Sequence, residues 1–249
     1  MQQVRYLFDK KLMKAFIPNQ PDSQLKKIPN LSWLPWIGSD YFKNNNRLII
    51  IGESQYAQGK TAIAYKEDLT RVSEINFTRN AVLQTQIQND YKHPALDNLL
   101  KALLGNGFID KEKLWSEIAF YNFVQRVMDY SSFDGKKTEQ PTTADFDAGW
   151  KVFAEVVKIL KPTDCIFIGV RAATPFERMM DQLNIKRSDR IAHDKIGNTN
   201  PVSASVEVDG HITNISFIRH SSAYFSPEEW NPFLEEQHAT IIQELKAKI

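Results

Sequence analysis

Two rhythms of apolar and polar positions run along the chain. Four stretches carry β-branched and aromatic residues at strand length: 47–51 (RLIII), 116–125 (SEIAFYNFVQ), 164–170 (DCIFIGV) and 203–220, the last alternating on both sides of Asp209-Gly210. The first three read as buried strands, the second of them running on into a loop. An Asp-Gly pair between two alternating runs predicts a hairpin. Between these stretches apolar residues recur at helical spacing. Residues 93–108 read as a helix stopped by Gly105 and Gly107, and residues 173–185 as a helix with Pro175 in its first turn. The clearest helix is 142–164, where Phe146, Trp150, Phe153, Val156, Val157 and Leu160 share a face and Pro162 ends the run. The C-terminal stretch opens on Ser226-Pro227-Glu228-Glu229, a capping pattern, and predicts one or two helices.

Strands alternating with helices argue for an α/β fold, a three-layer α/β/α sandwich with a mostly parallel central sheet. Residues 47–249 read as a single domain of this kind. Residues 1–46 read as an irregular segment, with four prolines, that packs its aromatic side chains on the body. In such sheets ligands sit beyond the carboxyl ends of the strands. Those ends are GESQY (52–56), YNFVQ (121–125), GVRA (169–172) and RHSSAYFS (219–226).

Composition changes this picture little. The net charge of +1 supplies no field that by itself marks a nucleic-acid binder, and a local basic patch is compatible with it. The single cysteine, Cys165, lies in an apolar run and reads as buried packing. The expectation is a reducing, cytoplasmic location. No apolar run approaches 18 residues, and the first residues lack the apolar core of a secretory signal, so no membrane partner is expected. Neither a metal nor a cofactor is expected.

The stretch IIIGESQYAQGKTAI (49–63) invites a phosphate-loop reading, because Gly59-Lys60-Thr61 follows an apolar strand. That loop needs four residues between its first glycine and the Gly-Lys-Ser/Thr, since the ring of backbone N–H groups has a fixed size. Here six residues separate Gly52 from Gly59. No other candidate strand ends on a carboxylate that could hold magnesium. Lys60 and Thr61 therefore read as solvated loop residues, the alternative being a phosphate contact.

The strand ends offer other chemistry. Glu53 and Ser54 follow the first strand, Asn122 ends the second, and His220-Ser221-Ser222 follow the last. A carboxylate can position water or stabilise a sugar oxocarbenium ion. An amide can pair with the edge of a base, an imidazole can donate to an oxygen where charge builds, and serines can hold a phosphate. The set fits cleavage of a nucleotide's N-glycosidic bond, and equally fits base binding without chemistry. Arg171 has two roles open to it: contacting phosphate, or pairing with Glu53 and keeping it ionised.

With these motifs in this order, the chain resembles the uracil-DNA glycosylase superfamily over roughly residues 45–235. That superfamily has G-Q-D-P-Y-H or G-E-A-P-G after its first strand, an Asn after a second strand and H-P-S after the last. Here the motifs read Gly52-Glu53-Ser54-Gln55-Tyr56, Asn122 and His220-Ser221-Ser222. The chain departs where Ser54 replaces the catalytic Asp of one branch, Gln55 a proline, and Ser221 the proline of H-P-S. Glu53 matches the carboxylate of the other branch. A single cysteine excludes the iron–sulfur cluster of some members. The resemblance implies a glycosylase-like fold and removal of uracil or another damaged base from DNA, with the base flipped into a pocket.

On that expectation Glu53 and His220 are catalytic. Asn122 reads the base edge, while Tyr56 and Phe123 wall it. Ser54, Ser221, Ser222, Arg171 and Tyr224 contact phosphates or DNA. Tyr224 and Phe225 would fill the gap left in the base stack, their alternative being core contact. Two other readings stay open: a module that binds a nucleobase or nucleic acid without hydrolysis, and a protein-interaction scaffold built on the aromatic N-terminal segment.

Overall fold

A computed structural model describes residues 21–107, 109–131, 138–222 and 224–249. Residues 1–20, where the expected N-terminal segment begins, lie outside the described residues. The strands are β1 (Trp36–Ile37), β2 (Leu48–Gly52), β3 (Gln55–Gly59), β4 (Ala119–Asn122), β5 (Val127–Ser131), β6 (Asp164–Ile168), β7 (Lys186–Arg187), β8 (Ile191–Ala192), β9 (Val202–Val208) and β10 (His211–Ile218). The helices are α1 (Asp22–Leu25), α2 (Ala62–Val72), α3 (Phe77–Val82), α4 (Pro94–Leu104), α5 (Lys111–Glu117), α6 (Thr143–Leu160), α7 (Phe176–Gln182), α8 (Pro227–Gln237) and α9 (Ala239–Lys248).

The main sheet runs in the order β1-β4-β2-β6-β10-β9-β7, with β8 also on β9. Its centre, β4-β2-β6-β10, is parallel throughout, and its margins are antiparallel. The fold is thus mixed α/β around a mostly parallel central sheet. Burial on both faces explains why β2, β4 and β6 read as continuous apolar runs. Side chains alternate strictly between two cores. Ile49, Ile51, Ala119, Tyr121, Cys165 and Phe167 join the core under α6 and α7. Leu48, Ile50, Phe120, Ile166 and Ile168 join the one under α4, α8 and α9.

Local chemistry sets the boundaries. Thr142 and Asp145 form a reciprocal capping box on α6, whose C-terminus closes on a left-handed Lys161 before Pro162. The β9–β10 turn places Asp209 and Gly210 at φ 50° and 76°, as a tight hairpin demands. The N-terminal segment does more than pack. Its β1 pairs antiparallel with β4 and extends the sheet. Trp33 and Trp36 are buried, and their indole N–H groups donate to Val72 and Trp115 carbonyls.

Two regions had no counterpart in the sequence pattern. Residues 62–87 fold as α2, then α3 running into a π-helical turn at Leu83–Ile87. In addition β3 and β5 form a separate parallel ribbon. The Gly59-Lys60-Thr61 stretch is the entry to α2: Thr61 is its N-cap, accepting the Ala64 N–H at 3.2 Å, and Lys60 is exposed.

Candidate functional site

The central strand order puts β2 between β4, which follows it in the chain, and β6, which follows that. The chain therefore reverses direction across the sheet at β2, and a crevice opens at its carboxyl end. A slot of about 530 Å³, its open mouth included, lies there. Gly52, Glu53, Asn122 and His220 all line it, so the structure brings the main sequence candidates together. A wider outer groove continues from it past Ser54, Tyr56, Lys92, His93 and Ser222.

Two glycines make the room. A Cβ on Gly52 would collide with Asn122 Oδ1, and one on Gly169 would meet Glu53 Oε2 at 2.7 Å. Gly169 also sits at φ 145°, a conformation that side-chain-bearing residues avoid. Asn122 is buried, yet its side-chain amide makes no hydrogen bond among the described residues; its backbone carbonyl accepts from the Gln125 side chain. An amide at the edge of a slot with no protein partner for its side chain is open to a ligand or to solvent.

Glu53 is largely buried, and that burial pushes its carboxyl pKa up. Arg171 opposes the shift only weakly, because its Nη1 stands 3.9 Å from Oε1 and its guanidinium is committed to Gln140 and the Pro141 carbonyl. Arg171 lies over the Phe146 ring at 5.3 Å and lines a different cavity. Of its two open roles, the loose pairing with Glu53 is the one seen.

Sequence reasoning missed His93, the N-cap of α4. Its Nδ1 accepts the Leu96 N–H at 3.3 Å, which leaves Nε2 to carry the proton. Burial lowers its pKa. His220 stands exposed at the mouth, with Nδ1 2.9 Å from the Ser222 hydroxyl. Packing on its inner side lowers its pKa too, with the nearby His93 adding to the effect. Both imidazoles are therefore neutral near pH 7 and able to donate from one nitrogen. The signal for His93 was a histidine immediately before Pro94 at a helix start, a place the strand-end rule does not inspect.

Several expectations need correction. Phe123 is no wall. Side chains alternate along a strand, so the neighbour of Asn122 points to the opposite face, where Phe123 packs against Phe146, Trp150 and Phe167. Phe120, two residues before Asn122, lines the slot instead, together with Phe77 of α3. Tyr56 lies in the outer groove, its hydroxyl donating to the Glu139 carbonyl. Ser221 is fully buried and donates its hydroxyl to the Ala95 carbonyl at 2.6 Å, so it is no phosphate ligand. Phe225 stacks on Trp230 in the core and is not a wedge. Ser54 and Ser222 do reach the groove. Tyr224 is 93% exposed at φ 55°, with the Arg219 guanidinium 6.0 Å from its ring centre.

Among the described residues no group of three His, Cys, Asp or Glu side chains could hold a metal ion, and no helix is long and apolar enough to cross a membrane. Comparison with protein-family models and with curated proteins gives no match.

Proposed function

We propose that the slot receives a nucleobase and that the protein is a uracil-DNA glycosylase-like hydrolase, cleaving the N-glycosidic bond of uracil or another damaged base in DNA. On this reading the fold is a glycosylase-like three-layer sandwich. One observation carries the proposal. A buried carboxylate, an unpaired amide and two neutral imidazoles converge on one aromatic-walled slot at the sheet's switch point.

Asn122 offers an acceptor and a donor side by side to the base edge. Phe77 and Phe120 supply apolar walls. As the C1′–N bond breaks, its electron pair leaves with the base, and an imidazole N–H of His220 or His93 donates to the oxygen where that charge collects. Ionised Glu53 balances the positive sugar and takes the proton of the water that attacks C1′. At the mouth Ser54, Ser222 and Lys92 meet the phosphate backbone. Exposed Tyr224 enters the gap that the flipped base leaves.

The test is a strand-cleavage assay on oligonucleotides carrying uracil, hypoxanthine or xanthine, with Glu53→Gln and His220→Ala as controls. Abasic product from wild type, reduced in both variants, is expected. No product from any base removes the assignment. The raised pKa of Glu53 and the looseness of its arginine favour a second reading, binding without hydrolysis. Saturable binding of a uracil-containing strand with no abasic product would select it.

A further inference from the structure

A second pocket, of about 1000 Å³ with its open mouth included, plays no part in the chemistry above. Arg171 and Arg178 line it together with Thr142, Thr143 and Thr174, over the Phe146 ring. No carboxylate is among its lining residues. Arg171 belongs to both places, since it lines this pocket and stands 3.9 Å from Glu53.

The charges around the pocket do not cancel. Arg171 donates to the Gln140 side-chain oxygen at 3.2 Å and to the Pro141 carbonyl at 2.9 Å. Both acceptors are neutral, so they orient the guanidinium and leave its charge in place. Arg178 pairs with Asp147, and its Nη1 also donates to the Gln182 side-chain oxygen at 3.4 Å. The other carboxylates nearby hold arginines outside the pocket lining. Asp145 and Glu139 hold Arg126, at 2.6 and 2.7 Å, and Glu177 holds Arg190 at 3.2 Å. Asp147 thus balances Arg178, while Arg171 has no carboxylate within hydrogen-bonding distance. Thr142 and Thr143 are the N-cap and first residue of α6, an 18-residue helix whose dipole adds positive charge at that end.

We propose that this pocket is a phosphate-binding subsite, with Arg171 and Arg178 supplying the charge and Thr143 and Thr174 neutral donors. Planar guanidinium forks match phosphate oxygens, and exposed threonine hydroxyls add directional hydrogen bonds. Two sources share this chemistry: the backbone of a strand whose base enters the adjoining slot, and a small phosphorylated molecule. The inference stands on the charge and lining of this pocket and does not require the base reading.

The experiment titrates inorganic phosphate and a uracil-containing single strand into wild type, Arg178→Gln, Asp147→Asn and Lys186→Gln by calorimetry. Lys186→Gln controls for charge, because it removes an exposed cation on β7. Phosphate affinity should fall roughly tenfold in Arg178→Gln and stay at the wild-type value in Lys186→Gln. It should rise in Asp147→Asn, where Arg178 loses its competing carboxylate, a gain that misfolding cannot produce. If a strand occupies the subsite, Arg178→Gln also weakens strand binding and lowers its salt slope by about one. Phosphate binding weakened with strand binding untouched assigns the subsite to a small phosphorylated ligand. Phosphate affinity, strand affinity and salt slope all indifferent to Arg178→Gln and Asp147→Asn overturn the inference, as does the failure of both probes to bind wild type. The strand-cleavage assay decides the base reading separately.

Discussion

Gly169 and the Glu53 carboxylate occupy adjoining space: a Cβ at position 169 would stand 2.7 Å from Oε2. The strand end of β6 is thus shaped around the acid carried by its neighbour β2. Gly169→Ala introduces the clash and also forces a side chain into φ 145°. Backbone strain of this kind costs about 1–3 kcal/mol. The variant should lose that stability in urea denaturation and, if Glu53 has the proposed role, at least roughly tenfold in base release, since small displacements of a catalytic group carry such penalties. Full activity per folded molecule would show that the carboxylate's position is unimportant.

The pH profile of base release tests the carboxylate directly. In the proposed role Glu53 acts as a base only when ionised, and burial has raised its pKa above 4.5. Activity should climb as pH rises through that raised value, with a midpoint above 4.5, and Glu53→Gln should abolish the climb. A profile flat from pH 4 to 7 would contradict the assigned role.

His93 predicts a pH effect on stability that is read without any assay of base release. Its folded pKa is depressed below 6.5, mainly by burial, and its Nδ1 must stay unprotonated to cap α4. The contribution is fully present above pH 6.5 and is lost as pH falls below it, because the unfolded chain then takes up the proton first. His93→Asn keeps a capping side chain without the titration. Urea denaturation at pH 7.5 and 5.5 should show a smaller loss for the variant than for wild type.

At the other end of the sheet His238 hydrogen-bonds Asp164 through Nδ1, at 2.8 Å, and Ser216 through Nε2, at 2.9 Å. The connectivity matches that of a nucleophilic triad, but Ser216 is fully buried and His238 nearly so. The network ties the α8–α9 junction to the sheet. His238→Ala should cost about 3 kcal/mol, since it leaves the Ser216 hydroxyl and Asp164 Oδ1 without that partner in the core, Thr163 still donating to Asp164 Oδ2. It should leave activity per folded molecule unchanged, and a serine-directed phosphonylating reagent should not label the native protein.

What the sequence made legible follows from periodicity. The fully buried strands and α6 carry long apolar signals, and the strand-end rule then led to Glu53, Asn122 and His220. The same periodicity, applied one step further, separates Asn122 from Phe123 and points to Phe120. The α3 wall was not legible because its identity is tertiary. Phe77 acquires meaning only once Arg79, Asp22 and Trp33 fix that helix over the slot. Ser221 looked available because its polar type was visible while its partner, the Ala95 carbonyl, lies 126 positions away.

The small ribbon of β3 and β5 bears on how the gene can change. Strands β2 and β4 pair in parallel up to Gly52 and Asn122, break, and pair again from Gln55 with Val127 onward. The break is two residues long in one strand and four in the other, Glu53–Ser54 and Phe123–Arg126, and it is bridged by Phe123 N–H to the Gly52 carbonyl at 2.8 Å and Val124 N–H to the Glu53 carbonyl at 2.9 Å. Both segments are fixed at each end, so neither can absorb an added or deleted residue. One codon gained or lost there would slip the ribbon's register and invert which face each of its side chains presents. Length variation in this part of the molecule is therefore expected in the surrounding loops, while the spacing from Gly52 to Gln55 and from Asn122 to Val127 stays constant.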